Sequence, residues 1–279
     1  MAKVVVLLCS LLAGAANAEP DPEPTYKDCH PGDKAALLAV KAAFGEAYDF
    51  ASWKPDNPCC DWYDVARRPS PGHVVGLAIF QDANLTGTIP TALAGLPHLE
   101  DLTLRHLPGL SGPIPPAIGK LSNLSSLRIS WTAVSGPVPS FLGALKKLNF
   151  LDLSFNSLSG AIPASLGTIP LSGINLSRNR LTGARTIPLH NDIHGSIPAQ
   201  VASMSNLNFF NVSYNRLCGP VPAGGNMARK GEGCHQGGRS PPWCAGLGVE
   251  ESDSKEGGTF PLGPFWPKLP STIWPFKTH

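Results

Sequence analysis

The feature that most constrains this chain is a short phrase, Gly-x-Ile/Val-Pro. It returns at Gly87–Pro90, Gly112–Pro115, Gly136–Pro139, Gly160–Pro163, Gly195–Pro198 and Gly219–Pro222. The prolines at 90, 115, 139, 163, 198 and 222 are separated by 25, 24, 24, 35 and 24 residues. A unit this short cannot bury its own apolar face. A chain that repeats it folds by stacking each unit on the next, as a solenoid.

The stretch "NFLDLSFNSLSGAIPASLG" (149–167) shows how one unit works. With L-x-x-L-x-L-x-x-N-x-L at a 24-residue period it carries the leucine-rich-repeat signature. In a short strand alternate residues face opposite ways. Leu102/Leu104, Leu127/Ile129, Leu151/Leu153, Ile174/Leu176 and Phe210/Val212 are therefore expected to stack as an inner ladder. Asn156, Asn179 and Asn215 fall where the chain leaves the strand, and a buried amide there can satisfy backbone groups that no ladder reaches. Glycines 87, 112, 136, 160 and 219 permit positive φ or close approach. The proline after each suits the first turn of a helix. Leu93, Ile118, Leu142 and Leu166 then cover the far side of the core. The fold class is an α/β solenoid with a concave parallel sheet, 3₁₀ or α turns on the convex side and a helical N-terminal cap. The 35-residue step breaks the rhythm at "ARTIPLHNDIHGSIP", and about half a repeat is missing if the stack continues.

The flanks differ from the repeats. Lys3, the apolar run Val4–Leu12 and Ala16-Asn17-Ala18 read as a secretory signal over 1–18, too short to span a bilayer. Residues 19–72 form the expected cysteine-containing cap. In it Asp33 stands as the N-cap of a helix with Leu37, Val40, Lys41 and Phe44 at helical spacing and Gly45 as its stop. Residues 73–222 hold about seven repeats, irregular at 184–194. Residues 223–279 form a Gly/Pro-rich tail without the repeat, expected to be disordered. Charged residues make up 15% of the chain and the net charge is +2, with no Lys/Arg block to hold nucleic acid.

"CHPGDKAALLAVKAAFG", "ASWKPDNPCCDWYDV", the "LSGPIP" repeats and "SYNRLCGPVPAGGNMAR" together resemble the plant extracellular leucine-rich-repeat proteins, most of all the polygalacturonase-inhibiting proteins. The resemblance covers about 29–183 and 190–229. It implies a right-handed superhelix with a second sheet built from the Leu-x-Gly-x-Ile-Pro segments. It also implies residence in the plant cell wall or apoplast, and inhibition of fungal or insect endopolygalacturonases in defence. The chain departs from that pattern in having fewer repeats, no cysteine in "DVARRPSPGHV" and an unrelated sequence from Lys230.

With Cys9 removed in the signal, six cysteines remain. Cys29–Cys59 is the expected bridge, strapping the cap helix to the following loop, whereas Cys60, Cys218, Cys234 and Cys244 have no secure pairing. No C-x₂-C pair is present, and "HNDIH" has Asn191 where a zinc helix needs glutamate, so no metal and no cofactor is expected. No nucleophile elbow, phosphate loop or dinucleotide fingerprint is present, which points away from an enzyme. Glycosylation sequons stand at Asn84, Asn123, Asn175 and Asn211. The concave face displays the candidate binding residues: Asp101, Thr103, Arg105 and His106; Arg128, Ser130 and Trp131; Asp152, Ser154 and Phe155; Ser177 and Arg178; Ser213 and Tyr214. Aromatic residues and arginine anchor protein interfaces, though the same rings would also cover a sheet edge. The reading is a secreted protein-binding protein, with an endopolygalacturonase as partner and cell-wall pectin as a further one. The alternatives are a soluble ligand-sensing or co-receptor module in signalling or development, or a truncated paralogue lacking inhibition.

Overall fold

The computed structural model describes residues 28–45, 47, 50–68, 72–182, 184–185 and 195–217. The signal at 1–18, the tail from 223, Cys218, Cys234, Cys244, the side chain of Cys60, and the "HNDIH" residues lie outside the described residues.

Helix α1 (Pro31–Phe44) is the cap. Proline occupies its first turn, and Gly45 ends it with φ 79° and an N–H donated to Lys41 O at 2.9 Å. The N-cap is His30, whose ring accepts the Gly32 N–H, and not Asp33 as the sequence suggests. Asp33 lies inside the first turn, buried. Its Oδ2 accepts the Val74 N–H at 2.8 Å and lies 3.2 Å from Nδ1 of His73. A local signal chose the cap; a distant N–H claimed the carboxylate. Leu37, Val40 and Phe44 go into the core, and the rings of Phe44, Phe50, Trp53 and Trp62 pack in series behind them. Cys29 and Cys59 are bridged, with Cα atoms 5.6 Å apart. Asp28 braces that bridge: Oδ1 accepts the N–H groups of Cys29 and Cys59, both at 2.8 Å, and Oδ2 accepts Lys34 Nζ at 2.7 Å.

In chain order the strands are β1 (Val65–Arg67), β2 (Val74–Phe80), β3 (Thr86–Thr88), β4 (Asp101–Gly112), β5 (Ser126–Pro137), β6 (Phe150–Asp152), β7 (Ser157–Gly160), β8 (Gly173–Asn175), β9 (Arg180–Leu181), β10 (Ala184–Arg185), β11 (Gly195–Ser196) and β12 (Phe209–Asn211). The concave sheet runs β1-β2-β4-β5-β6-β8-β12, parallel from β2 onward, with β1 antiparallel at one edge. Its register aligns Leu77, Leu102, Leu127, Leu151, Ile174 and Phe210 in one column. The predicted inner ladder is buried throughout except Phe210, which is half-buried on the last described strand. β3, β7, β9 and the far ends of β4 and β5 make a second parallel layer where each chain bends away.

The recurrent asparagines do what their chemistry allows. Asn179 Nδ2 donates to Leu153 O, Leu176 O and Ser177 O at 2.8, 3.1 and 3.2 Å, while its Oδ1 accepts the Leu158 N–H at 2.9 Å. Asn215 repeats the arrangement one coil on, and Asn156 donates to the corresponding carbonyls one coil earlier. The prolines sit one position earlier than a helical first turn. Pro90, Pro115, Pro139 and Pro163 are extended residues capping the 3₁₀ turns, and their carbonyls accept from Leu93, Ile118, Leu142 and Leu166.

The 35-residue step is not a gap in the sheet. β12 pairs directly with β8, Gly173 to Phe209 and Asn175 to Asn211. The chain leaves after β9, β10 and β11 pair antiparallel, and Ile197 and Val201 re-enter the core. Helix α2 (Ala199–Ala202) then lies so close to the previous turn that a Cβ on Gly167 would be 2.4 Å from the Gln200 carbonyl. The irregular unit is one coil carrying 35 − 24 = 11 extra residues, and the concave sheet contains six parallel strands among the described residues.

Candidate binding face

Each coil leaves its concave strand through one residue in left-handed conformation: Gln81, His106, Trp131, Phe155, Arg178 and Tyr214, with φ between 54° and 57°. None is glycine, and such a conformation costs an L-residue roughly 1–2 kcal/mol. The strain is held because the backbone beside it is paired: Trp131 N–H donates to Ser154 O at 3.2 Å, Phe155 N–H to Ser177 O at 3.0 Å and Arg178 N–H to Ser213 O at 2.9 Å.

This shared conformation brings five of the side chains into one stack. His106 and Trp131 have ring centroids 5.0 Å apart, and Trp131 and Phe155 3.6 Å, both stacked. The Arg178 guanidinium lies 5.0 Å from the Phe155 ring centre and 4.0 Å from that of Tyr214. The ladder His106–Trp131–Phe155–Arg178–Tyr214 therefore runs along the rim of the concave sheet. Trp131 is 40% and Tyr214 54% exposed, so the stack is wet along its outer edge while its ring faces cover one another. Burial, with the neighbouring Arg105 charge as a second cause, lowers the pKa of His106. Both causes favour the neutral imidazole on the rung that meets Trp131.

Inside the rim lies a charged strip. Arg128 Nη1 is 3.2 Å from Asp101 Oδ2, both side chains being mostly covered, and its guanidinium sits 4.9 Å from the Phe150 ring. Phe80 and Phe209 are exposed at the two ends of the sheet.

Several residues expected on display are not. Thr103, Ser130, Ser154 and Ser177 are buried. Thr103 donates to Asp101, Ser154 to Asp152 and Ser177 to Asn175, each to the residue two positions back. A short hydroxyl beside a long polar neighbour on a concave surface turns back to it instead of reaching solvent. Ser213 makes the same bond to Asn211 but stays half-buried. What stays accessible on this face is thus Arg105, the ladder, the aromatic ends and the edges of the Asp101–Arg128 strip. The common φ of the ladder had no signal in sequence, since its residues share no chemical type. Among the sequons, Asn84 is exposed, whereas Asn123 donates to Pro97 O and accepts from Lys147. Asn175 and Asn211 are half-buried on the concave side.

Two family profiles match: the "Leucine rich repeat N-terminal domain" over residues 30–66 and the "Leucine Rich Repeat" over 147–169. A "Polygalacturonase inhibitor" of Pyrus communis is 47% identical over 110 residues, which is 39% of this chain and 33% of that protein. The match thus spans about a third of that curated relative's length. Among solved structures, a plant ice-binding protein is 33% identical with a TM-score of 0.55, covering 72% of this chain and 92% of the other. The leucine-rich-repeat ectodomain of the receptor kinase SOBIR1 from Arabidopsis thaliana is 26% identical, with a TM-score of 0.54 and coverage of 69% and 97%. Among the described residues no helix is long and apolar enough to cross a membrane.

Proposed function

Because this chain belongs to the plant leucine-rich-repeat family of the polygalacturonase inhibitors, we propose that it is a secreted, cell-wall protein that binds and slows an endopolygalacturonase of fungal or insect origin. Its concave face and rim would lie across the enzyme and obstruct the substrate's approach. The observation that carries this reading is the ladder His106–Trp131–Phe155–Arg178–Tyr214, whose four rungs from Trp131 to Tyr214 are residue types enriched at protein interfaces. A sugar platform needs an open ring face, and here the faces are taken up by neighbouring rungs. That favours a protein partner over pectin for this row. The chain itself is read as a non-enzyme, in keeping with relatives named as inhibitors.

The test is reducing-end release from polygalacturonate by a panel of fungal and insect endopolygalacturonases, with and without the protein. The expected result is slower release with at least one enzyme and none from the protein alone. Trp131→Ala should weaken the inhibition by roughly thirtyfold, the equivalent of about 2 kcal/mol for an anchor residue. Unchanged rates across the panel would refute inhibition, and hydrolysis by the protein alone would refute the non-enzyme reading. The likeness to a receptor-kinase ectodomain supports a second reading, a soluble ligand-sensing module. Capture of an extracellular peptide or receptor ectodomain with no effect on any enzyme would favour it.

A further inference from the structure

Three positive charges without a carboxylate meet at one corner of the rim. Elsewhere basic side chains have acidic partners: Lys34 has Asp28, Arg68 has Glu100 and Arg128 has Asp101. Arg178, Arg180 and Arg216 are exposed, and among the described residues none of the three has an ion-pair or side-chain hydrogen-bond partner. The sequence explains why: between residues 153 and 217 the only acidic residue is Asp192, which lies outside the described residues. Arg178 stands in the stack between Phe155 and Tyr214, 5.0 and 4.0 Å from their ring centres. The rings attract its charge but leave the N–H donors in the guanidinium plane without acceptors. Arg180 opens β9 two residues past that rung. Arg216 has the same place one coil on, where its N–H donates to Leu181 O at 2.8 Å. The earlier coils have Ala83, Pro108, Ala133 and Ser157 there, none of them charged. Neighbouring coils are roughly 4.8 Å apart along the sheet, so three like charges on two consecutive coils repel one another until an anion comes between them.

We propose that this corner binds an acidic segment of the partner protein, with one Asp or Glu carboxylate of the partner set against the edge of Arg178 and its acidic neighbours facing Arg180 and Arg216. The proposal rests on the reading that the rim binds a protein, and it adds the chemistry that the partner must carry. A guanidinium offers a fixed fork of N–H donors that a carboxylate accepts in pairs. Here the fork is held in advance by Phe155, by Tyr214 and by the Arg178 N–H bond to Ser213 O at 2.9 Å, so little freedom is lost when the anion arrives. Charge alone would also suit a uronate chain. A sugar ring, however, packs on an open aromatic face, and the Phe155 ring is covered by Trp131 and by Arg178. A carboxylate on a protein loop needs the edge alone. Arg180 and Arg216 supply the longer-range pull that draws an acidic surface toward the rim. Partners are then sorted by the loop they bring to this corner: an acidic loop is held and a basic one repelled.

The test titrates the full chain with two polyanions, poly-L-glutamate and polygalacturonate, by calorimetry at neutral pH and low salt. Poly-L-glutamate should bind saturably, and the binding should fade as salt is raised. Arg178→Gln should weaken it at least about tenfold. Arg178→Lys, which keeps the charge but not the fork, should restore little of that loss. Lys120→Gln removes the same charge from the exposed convex side and should leave the affinity unchanged. Absence of saturable binding overturns the proposal. So does equal affinity in Arg178→Gln, or an equal loss in Lys120→Gln, which would mean that net charge alone is felt. Tighter, Arg178-dependent binding of polygalacturonate than of poly-L-glutamate overturns the choice of a protein. If Arg178→Gln fails to fold, Arg180→Gln combined with Arg216→Gln lies outside the stack and decides: it too should lose at least about tenfold. These titrations contain no enzyme, so a panel of endopolygalacturonases without inhibition refutes the proposed function and leaves this result to be judged by itself.

Discussion

Asn179→Ala is a severe test of the stacking argument. Asn179 is 8% exposed, and its side chain serves the backbone of two adjacent coils. It donates to Leu153 O, Leu176 O and Ser177 O and accepts from Leu158 N–H. Alanine leaves the Leu158 N–H without that partner beside fully buried leucines, and takes from the Leu153 carbonyl one of its two donors, Asn156 Nδ2 remaining. An orphaned buried N–H costs about 1–3 kcal/mol and the lost bonds to the three carbonyls add to it, so the loss should be about 2–4 kcal/mol, a sizeable part of a typical domain's stability of roughly 5–15 kcal/mol. Asn179→Asp separates donor from acceptor. It retains an oxygen for the Leu158 N–H but turns a second oxygen toward three carbonyls. It should be as damaging as alanine at neutral pH and partly rescued in acid, when the carboxyl regains a proton to donate. Urea unfolding followed by tryptophan fluorescence measures both, with Ser177→Ala, which removes one bond to the residue two positions back, as the mild control. A loss under about 1 kcal/mol for Asn179→Ala, or an Asp variant equal to wild type at pH 7, would refute the claim that these amides carry the coil-to-coil joint.

Three further outcomes follow from the same structure. Cys29→Ala with Cys59→Ala should cost about 3–4 kcal/mol in the chain-entropy account for a 30-residue separation, read from urea unfolding. For Asp28, burial raises the pKa, but the Lys34 and Cys59 and Cys29 N–H bonds together outweigh it and leave the value lowered. Its contribution is therefore present above the ordinary aspartate value of about 3.9 and is lost as pH falls through the lower folded value, so Asp28→Asn should flatten the acid limb of a stability-versus-pH curve. At position 131 both Gly and Ala lose the stack, but Gly relieves the left-handed strain; Trp131→Gly should melt above Trp131→Ala, by about 1 kcal/mol in stability, and the reverse order would mean that the φ of 57° is not strained.

What could be read from the chain depended on whether a signal repeats. Leu127, Leu151 and their equivalents announce themselves because each coil needs the same shape in the same place, and Asn156, Asn179 and Asn215 because one amide alone fits the bend. Asp33 was misread because a helix-start signal is local, while the N–H that takes the carboxylate belongs to Val74. Ser154 and Ser177 alternate outward on paper, yet their hydroxyls turn to Asp152 and Asn175 two residues back, a choice set by the crowding of a curved sheet. The coil with 11 extra residues looked truncated because the sequence showed a strand-less half repeat; the pairing of β8 with β12 shows where the chain closes. The left-handed column was invisible, since Gln81, His106, Trp131, Phe155, Arg178 and Tyr214 have only their backbone in common.

That column has a consequence for how such a surface can change over generations. The conformational penalty at each of the six positions belongs to the backbone, and it is nearly the same whether the rung is an imidazole, an indole or a guanidinium. Swapping one rung for another therefore leaves the scaffold close to where it was. The row behaves like a line of interchangeable type: its spacing is cast by the sheet, its characters are free to be reset. Recognition of a new partner can then be composed one coil at a time, without reopening the question of whether the chain folds.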